Sequence, residues 1–196
     1  MTALDREEKI RLILDHERKM AHGLALLVMD KPDPPFWMTF VPMFLVFLSQ
    51  KFKQYENDVK SFTNSYLESR EHAIAILPQP QDGGRARGDA WSFLDKLDMP
   101  DHARAIYAKY VGLISGHFAS LLHCDGSCID ELTRQAYADR SDFERFCDEL
   151  NAVESALNLS LLPQINEEQD VLHIVVQRMN HGIARLRRKE AQRIFS

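Results

Sequence analysis

The most restrictive feature of this sequence is a long stretch in which apolar and aromatic side chains recur at helical spacing. Steps of four and three alternate between the residues Leu48, Phe52, Tyr55, Val59, Phe62 and Tyr66. Such steps place side chains on one face of an α-helix, and their alternation favours pairing with another helix. Charged residues between them, including Lys60, Glu68 and Arg70, are assigned to a solvated face. The pattern predicts a helix from about Pro42 to Leu77 with a helix-pairing seam along one side.

A second helical pattern precedes this one. Apolar residues recur at helical spacing through the N-terminal region, and acidic residues from Asp5 onward suit the first turn of a helix. Thr2 and Asp5 resemble a capping box. We predict a helix from about Leu4 to Met29, which ends at the proline-rich residues 30–35 because proline lacks a backbone N–H donor. The two helices would form a long antiparallel hairpin within residues 1–77.

Glycine and proline without apolar periodicity occupy residues 78–88, which is typical of a linker or an exposed loop. Helical patterns resume after it, with one helix predicted for 101–123 and another that starts at a capping box formed by Ser141 and Glu144. No alternation typical of β-strands occurs. The expected fold is all-α, a helical bundle in which a second, smaller helical lobe over residues 89–196 follows the hairpin.

The apolar wedge, which we define as residues 34–50, carries no charged side chain and runs into the seam. Its most apolar part, 36–48, would extend about 20 Å as a helix. The hydrocarbon layer of a bilayer is roughly 30 Å thick and needs about 20 residues to cross it. A membrane-spanning helix is therefore the least favoured of three interpretations of the wedge.

The other two interpretations remain open. One is a core helix, which must be covered on all sides, by its own chain or by another subunit, because it is apolar all round. The other is a monotopic or re-entrant anchor on a membrane surface, with Trp37 at the headgroup level and lysines near anionic headgroups. The residues expected to contact the membrane or the partner are Phe36, Trp37, Phe40, Phe44, Phe47, Lys51 and Lys53.

The charge distribution narrows the expected partners. A formal net charge of −5 argues against a general nucleic-acid-binding protein. Basic residues nevertheless gather near the C-terminus, at Arg185, Arg187, Arg188, Lys189 and Arg193. Cations there complement the dipole of a helix C-terminus, or they form a basic patch for anionic lipid. Nucleic acid is not an expected partner.

Four residues within a short stretch have side chains able to bind a soft metal: His117, His123, Cys124 and Cys128. Their spacing does not match a common zinc ribbon or finger, so they are only candidate ligands. No phosphate-binding loop or nucleophile elbow occurs, so the sequence contains no positive sign of an enzyme and no cofactor is expected. The charged N-terminus argues against a secretory signal, and the three cysteines are expected to be free thiols in a reducing cytoplasm.

These patterns favour a non-enzymatic helical interaction or scaffold protein, cytoplasmic and peripherally attached to the inner face of a membrane through the apolar wedge. Expected partners are a membrane surface or another protein subunit, including a second copy of the chain. Two alternatives stay open. One is a soluble metal-binding or redox-active helical bundle, and the other is a soluble subunit of a larger assembly that uses the apolar wedge as its interface.

Overall fold

The computed structural model describes residues 4–29, 42–78, 91–97, 99–164 and 169–196. The backbone alone is described for 42–52, 164 and 169–172. Every regular element within these ranges is a helix, which confirms the all-α prediction.

The long helices of the described chain are α1 (Arg6–Val28), α2 (Pro42–Ala75), α3 (Asp101–His123), α5 (Arg140–Leu161) and α6 (Gln169–Ile194). A shorter helix, α4 (Ile129–Ala136), and two 3-10 helices, Ser92–Lys96 and Leu162–Gln164, complete the described elements. The predicted start of α2 and both predicted ends of α3 agree with these bounds. Proline at position 42 suits the first turn of α2, where its missing N–H would have no partner in the helix.

Aspartate caps α1 and α5, for which the sequence predicted other capping residues. The Asp5 carboxylate accepts a hydrogen bond from the N–H of Glu8 at 2.8 Å, and the Glu8 carboxylate accepts one from the N–H of Asp5 at 3.0 Å. The capping box of α1 is therefore formed by Asp5 and Glu8. The prediction that Ser141 caps α5 is wrong, because Asp139 precedes the helix and its side chain accepts from the N–H three residues on. A carboxylate at this position also interacts favourably with the helix dipole.

The five long helices form a ring in the order α1, α2, α3, α5 and α6, with α6 returning to α1. Helices α1 and α2 are antiparallel, since Arg6 donates to the carbonyl of Pro78 at one end and Arg70 pairs with Glu17 further along. Helix α4 packs beside the ring against α3 and α6.

Helix α6 closes the ring by running antiparallel to both of its neighbours. On one side Asn180 donates to Ser155 of α5, and Arg187 donates to Asn151 one turn earlier in α5. On the other side α6 approaches α1 so closely that a Cβ at Gly182 would lie 2.9 Å from a methyl carbon of Leu24. A glycine at this position therefore permits the close packing of α1 and α6.

One hydrophobic core joins the hairpin to the helices that follow it. The largest cluster contains Ile13 of α1, Ala73 of α2, Phe118 of α3 and Leu157 of α5, all of them buried. A smaller cluster near the end of α6 contains Phe143, Cys147, Ala191 and Ile194. Because the larger cluster draws on residues 1–77 and on residues 89–196, the two predicted regions share a core.

Candidate functional site

A cluster of charged and phenolic side chains lies at the centre of the ring, and all five long helices contribute to it. We call it the polar core: Glu17 of α1, Tyr66 and Arg70 of α2, Tyr110 of α3, Glu154 of α5 and Arg187 of α6. The two arginines are only 1% and 5% exposed. Arginine is almost never buried without a partner, so its charge must be balanced within the protein.

Arg70 is the most highly connected member of the polar core. Its Nε donates to a Glu17 carboxylate oxygen at 2.8 Å, and its terminal nitrogens donate to the hydroxyls of Tyr66 and Tyr110. The guanidinium carbon also lies 3.6 Å from the centre of the Tyr66 ring, a cation–π distance. The prediction of a solvated face for Arg70 is therefore wrong, because Glu17 supplies the opposite charge inside the bundle.

Glu154 connects the remaining members of the polar core. One of its oxygens accepts from the Tyr110 hydroxyl at 2.7 Å, and the other accepts from Arg187 at 2.8 Å. Burial by itself would raise the pKa of Glu154, but Arg187 and Arg70 outweigh that effect and the pKa lies below its ordinary value. Burial and Arg70 compete in the same way at Glu17, whose pKa is also lowered. Both carboxylates are therefore ionised at neutral pH, opposite two permanent cations.

Two histidines beside the polar core have pKa values shifted in opposite directions. Burial would lower the pKa of His16, but Glu190, with an oxygen 2.7 Å from Nε2, outweighs burial and raises it above 6.5. Burial dominates at His117 and lowers its pKa to about 4. The Nδ1 atom of His117 lies 2.7 Å from the Tyr137 hydroxyl, and its ring stacks on Phe146. His117 is therefore neutral at physiological pH.

A small cavity of about 40 Å³ adjoins the polar core. Its polar lining consists of His16, Glu17, Tyr66, Arg70, His117, Thr133, Arg187 and Glu190. A water molecule needs roughly 10–15 Å³ of such volume, whereas pockets for organic ligands measure roughly 300–1,000 Å³. The cavity can hold a few water molecules, and the polar core is suited to fixing the register of five helices.

Acidification should lower the stability of the fold through His117, which is neutral when buried. The folded pKa is about 4 and the ordinary value is 6.5, so between these values the unfolded chain binds a proton that the folded chain does not. His117 should therefore lower the free energy of unfolding by up to about 1.4 kcal/mol per pH unit as the pH falls through this window. Urea unfolding of wild type and His117→Gln at pH 7.5, 6.0 and 5.0 measures the difference.

Above pH 6.5 the difference in the free energy of unfolding between the wild type and His117→Gln should be constant. Below pH 6.5 the wild type should lose stability faster than the variant. The matched control is His16→Gln. The raised pKa of His16 contributes stability that is complete below 6.5 and is lost as the pH rises through the folded value. A wild type and a His117→Gln variant with parallel pH profiles would contradict the buried, neutral state of His117.

One end of the bundle, where α1 and α5 finish and α6 begins, carries several exposed apolar side chains. Exposed large apolar side chains there are Leu26, Leu27, Leu159, Ile174 and Val175, and we call these five residues the apolar end. Antiparallel packing places them at the same end of the bundle, because Leu27 lies beside Gly182 of α6 and Asn158 of α5 contacts Asn180. Trp91 is also exposed, but it lies on the side of the bundle and stacks on Phe93.

Helix α2 extends beyond the apolar end. Because Arg70 pairs with Glu17 and Arg6 with Pro78, the end of α1 falls opposite the stretch around Val59. The turns of α2 that start at Pro42 therefore continue past the end of α1 by more than about 15 Å. These turns belong to the apolar wedge. The helical part of the wedge thus leaves the bundle at the same end as the exposed apolar side chains.

Most of the predicted wedge contacts lie outside the described residues or side chains. The structure does not describe Phe36, Trp37 and Phe40, which precede α2 in the sequence. Only the backbone is described for Phe44, Phe47 and Lys51. Lys53 is exposed on α2. Its ammonium group is therefore free to contact a partner.

The predicted helix-pairing seam is described from Tyr55 onward, and the side chains of Leu48 and Phe52 are outside the description. Val59 is buried, while Tyr55, Phe62 and Tyr66 are partly buried. Phe62 and Tyr66 line a cavity with residues of α1, α3, α5 and α6. This part of the seam therefore packs within the same chain.

The predicted C-terminal basic patch is divided by the fold. Arg187 points into the polar core, so its assignment to a surface patch is wrong; Glu154 holds its charge in the interior. Arg193 is partly exposed and pairs with Asp130 of α4. Three cations remain exposed on the outer face of α6: Arg185, Arg188 and Lys189.

The four candidate metal ligands do not form a metal site. His117 lies beside the polar core, whereas the Nδ1 of His123 is 2.6 Å from the carbonyl oxygen of Ala119. The Cys124 thiol donates to the backbone carbonyl of Ser120, and Cys128 precedes α4. In the described part of the chain no group of three or more His, Cys, Asp or Glu side chains is placed to hold a metal ion.

The described helices include none that is both long enough and apolar enough to cross a membrane. Comparisons of the chain with protein families, with curated proteins and with solved structures gave no match.

Proposed function

We propose that this chain is a non-enzymatic helical interaction protein that attaches peripherally to the cytoplasmic face of a membrane through its apolar end and its apolar wedge. The observation that carries the proposal is that five exposed large apolar side chains lie at the end of the bundle from which the wedge extends. Single exposed apolar side chains are ordinary on a protein surface. Five of them at one end of the bundle favour an interaction site there.

The energetics of the apolar end agree with peripheral attachment. Complete burial of a leucine, isoleucine or valine side chain contributes roughly 1.5–3 kcal/mol. Ile174 is 53% exposed and Leu26 is 50% exposed, so each has about half of that contribution left to gain on a membrane. Lys53 and Lys51 follow the wedge, and each lysine near an anionic surface adds about 1 kcal/mol. Several such increments together support reversible surface binding.

The polar core supports the proposal indirectly, by holding the helices in register. Each of the five long helices contributes a side chain to it, so a shift of any one helix would separate a buried charge from its partner. The positions of α1, α5 and α6 along the bundle axis are thereby fixed relative to one another. A fixed register keeps the five apolar side chains at one end of the bundle.

Flotation with vesicles that contain phosphatidylglycerol and phosphatidylcholine tests the proposal. The wild type should float, and Ile174→Glu/Val175→Glu should partition about tenfold less or worse, because two apolar contacts are lost and two charges are added. Trp37→Glu/Phe40→Glu should have a similar effect through the wedge. Lys109→Glu is the matched control: it changes the net charge by the same amount at an exposed position on α3 and should float like the wild type.

The same exposed side chains favour one alternative, a soluble subunit that uses this end as a protein interface. Light scattering in detergent-free buffer distinguishes the two. A defined oligomer that Ile174→Glu/Val175→Glu dissociates, in a protein that does not float with vesicles, would contradict membrane attachment and favour the subunit interface. A monomer that floats would favour the membrane.

A further inference from the structure

A groove runs along the outer side of the α1 and α2 pair and reaches the apolar end. Its volume of about 860 Å³ falls within the range of pockets that hold small organic ligands. Helix α1 contributes residues one turn apart along one face, from Arg18 to Leu26, and α2 contributes the facing stretch from Tyr55 to Asn64. We call it the α1–α2 groove.

The lining of the groove changes in polarity along its length. Leu26 and Tyr55 lie at the apolar end, and Val59 continues the apolar lining. Arg18 and Lys19 lie about 12 Å further from that end along α1. Glu56 and Lys60, next to Tyr55 and Val59 on α2, carry opposite charges that offset each other. The net positive charge of the groove therefore lies at its far end, at Arg18 and Lys19.

The net charge of the groove favours an anion. Arg18, Lys19 and Lys60 line it together with a single carboxylate, that of Glu56, which leaves two positive charges on a chain whose overall charge is −5. Arg18 pairs with Asp15 at 2.8 Å, but both side chains are more than half exposed. An exposed pair of this kind contributes little, so Arg18 remains available to a ligand.

We infer that the α1–α2 groove binds one anionic phospholipid. The phosphate contacts Arg18 and Lys19, and an acyl chain runs along Val59 and Leu26 toward the apolar end. This inference rests on the proposed function, because the apolar end must face the bilayer for the lipid to keep its direction. In that orientation the chain points toward the hydrocarbon layer and the phosphate lies among the cations, as in other basic lipid pockets.

A short-chain lipid separates groove binding from attachment to a bilayer. Dihexanoylphosphatidylglycerol below its micelle concentration should bind to the wild type, as measured by isothermal titration calorimetry. Dihexanoylphosphatidylcholine should bind at least about tenfold more weakly because its headgroup carries no net charge. Glycerol phosphate should also bind at least about tenfold more weakly, because it has the phosphate but no acyl chain for the apolar part of the groove.

The variant Arg18→Glu/Lys19→Glu should lose at least about tenfold in affinity for dihexanoylphosphatidylglycerol. Both side chains are exposed, so the unfolding midpoint should be unchanged. Arg188→Glu/Lys189→Glu is the matched control, with the same charge change on the exposed face of α6, and should bind like the wild type.

The groove assignment would be overturned if dihexanoylphosphatidylglycerol did not bind. It would also be overturned if the two charge-reversal variants lost equal affinity for this lipid. Either result combined with flotation that depends on Ile174 and Val175 would leave the proposed function standing. Binding of glycerol phosphate as tight as that of the lipid would also overturn the assignment, since a free phosphate would then suffice. Selective lipid binding without flotation would support the groove and contradict attachment to the membrane.

Discussion

Replacement of Arg70 by methionine should destabilise the folded chain by about 3–5 kcal/mol, the usual cost of removing one partner of a buried ion pair. Arg70 is 1% exposed and donates to Glu17 and to the hydroxyls of Tyr66 and Tyr110. Methionine preserves much of the apolar stem but leaves the Glu17 carboxylate without its nearest counter-charge. Urea unfolding followed by far-ultraviolet circular dichroism measures the loss.

Two further variants make the Arg70 prediction specific. Arg145→Met removes an arginine whose side chain is 76% exposed and should change stability by no more than about 0.5 kcal/mol. The double variant Glu17→Gln/Arg70→Met should lose less free energy of unfolding than the two single variants lose together, because no unpaired charge stays buried. If Arg70→Met cost no more than Arg145→Met, the polar core would not hold the bundle together.

Phe118→Ala should have a comparable effect for a different reason. Phe118 is fully buried in the cluster that joins α1, α2, α3 and α5, and truncation of a core phenylalanine costs about 3–5 kcal/mol through lost apolar burial and a residual cavity. For a chain of this size the melting temperature should fall by roughly 6–20 °C. Differential scanning calorimetry provides the measurement.

Leu159→Ala is the control for Phe118→Ala, because it shortens an apolar side chain at the apolar end that is already 47% exposed. It should lower the free energy of unfolding by less than about 1 kcal/mol. Equal losses in the two variants would contradict the assignment of Phe118 to a core shared by the hairpin and the later helices.

The start of α2 and the bounds of α3 could be predicted because they depend on local patterns. Proline at position 42 and the seam that ends at Tyr66 define α2 without reference to any other helix. The all-α class follows from the same kind of evidence. The caps were harder to place, because several acidic residues near Asp5 and Asp139 compete for one position.

The polar core could not be predicted from local patterns, because its charges are matched between distant residues. Arg70 and Glu17 are 53 positions apart, and Arg187 and Glu154 are 33 apart. A helical pattern identifies an arginine as polar but does not reveal a carboxylate on a neighbouring helix. One signal was present: Arg70 lies four residues after Tyr66, within the width of the buried face of α2.

The apolar end depends on tertiary packing in the same way. Leu26 and Ile174 each look like ordinary positions on separate helices, and singly exposed apolar residues need no explanation. They lie at the same end of the bundle only because α1 and α6 are antiparallel and in a register set by His16, Glu190 and Gly182. The wedge was visible in the sequence, but the surface around its exit was not.

Depth measurement by electron paramagnetic resonance tests membrane attachment most directly. Spin labels at Ile174→Cys and Lys109→Cys require only Cys124 and Cys128 to be replaced by serine, because burial raises the pKa of the Cys147 thiol to about 12 and keeps it unreactive. With anionic vesicles, the label at 174 should be relaxed more by oxygen than by a water-soluble nickel chelate, and the label at 109 should show the reverse. A label at 174 that stays as accessible to the chelate with vesicles as without them would contradict attachment through the apolar end.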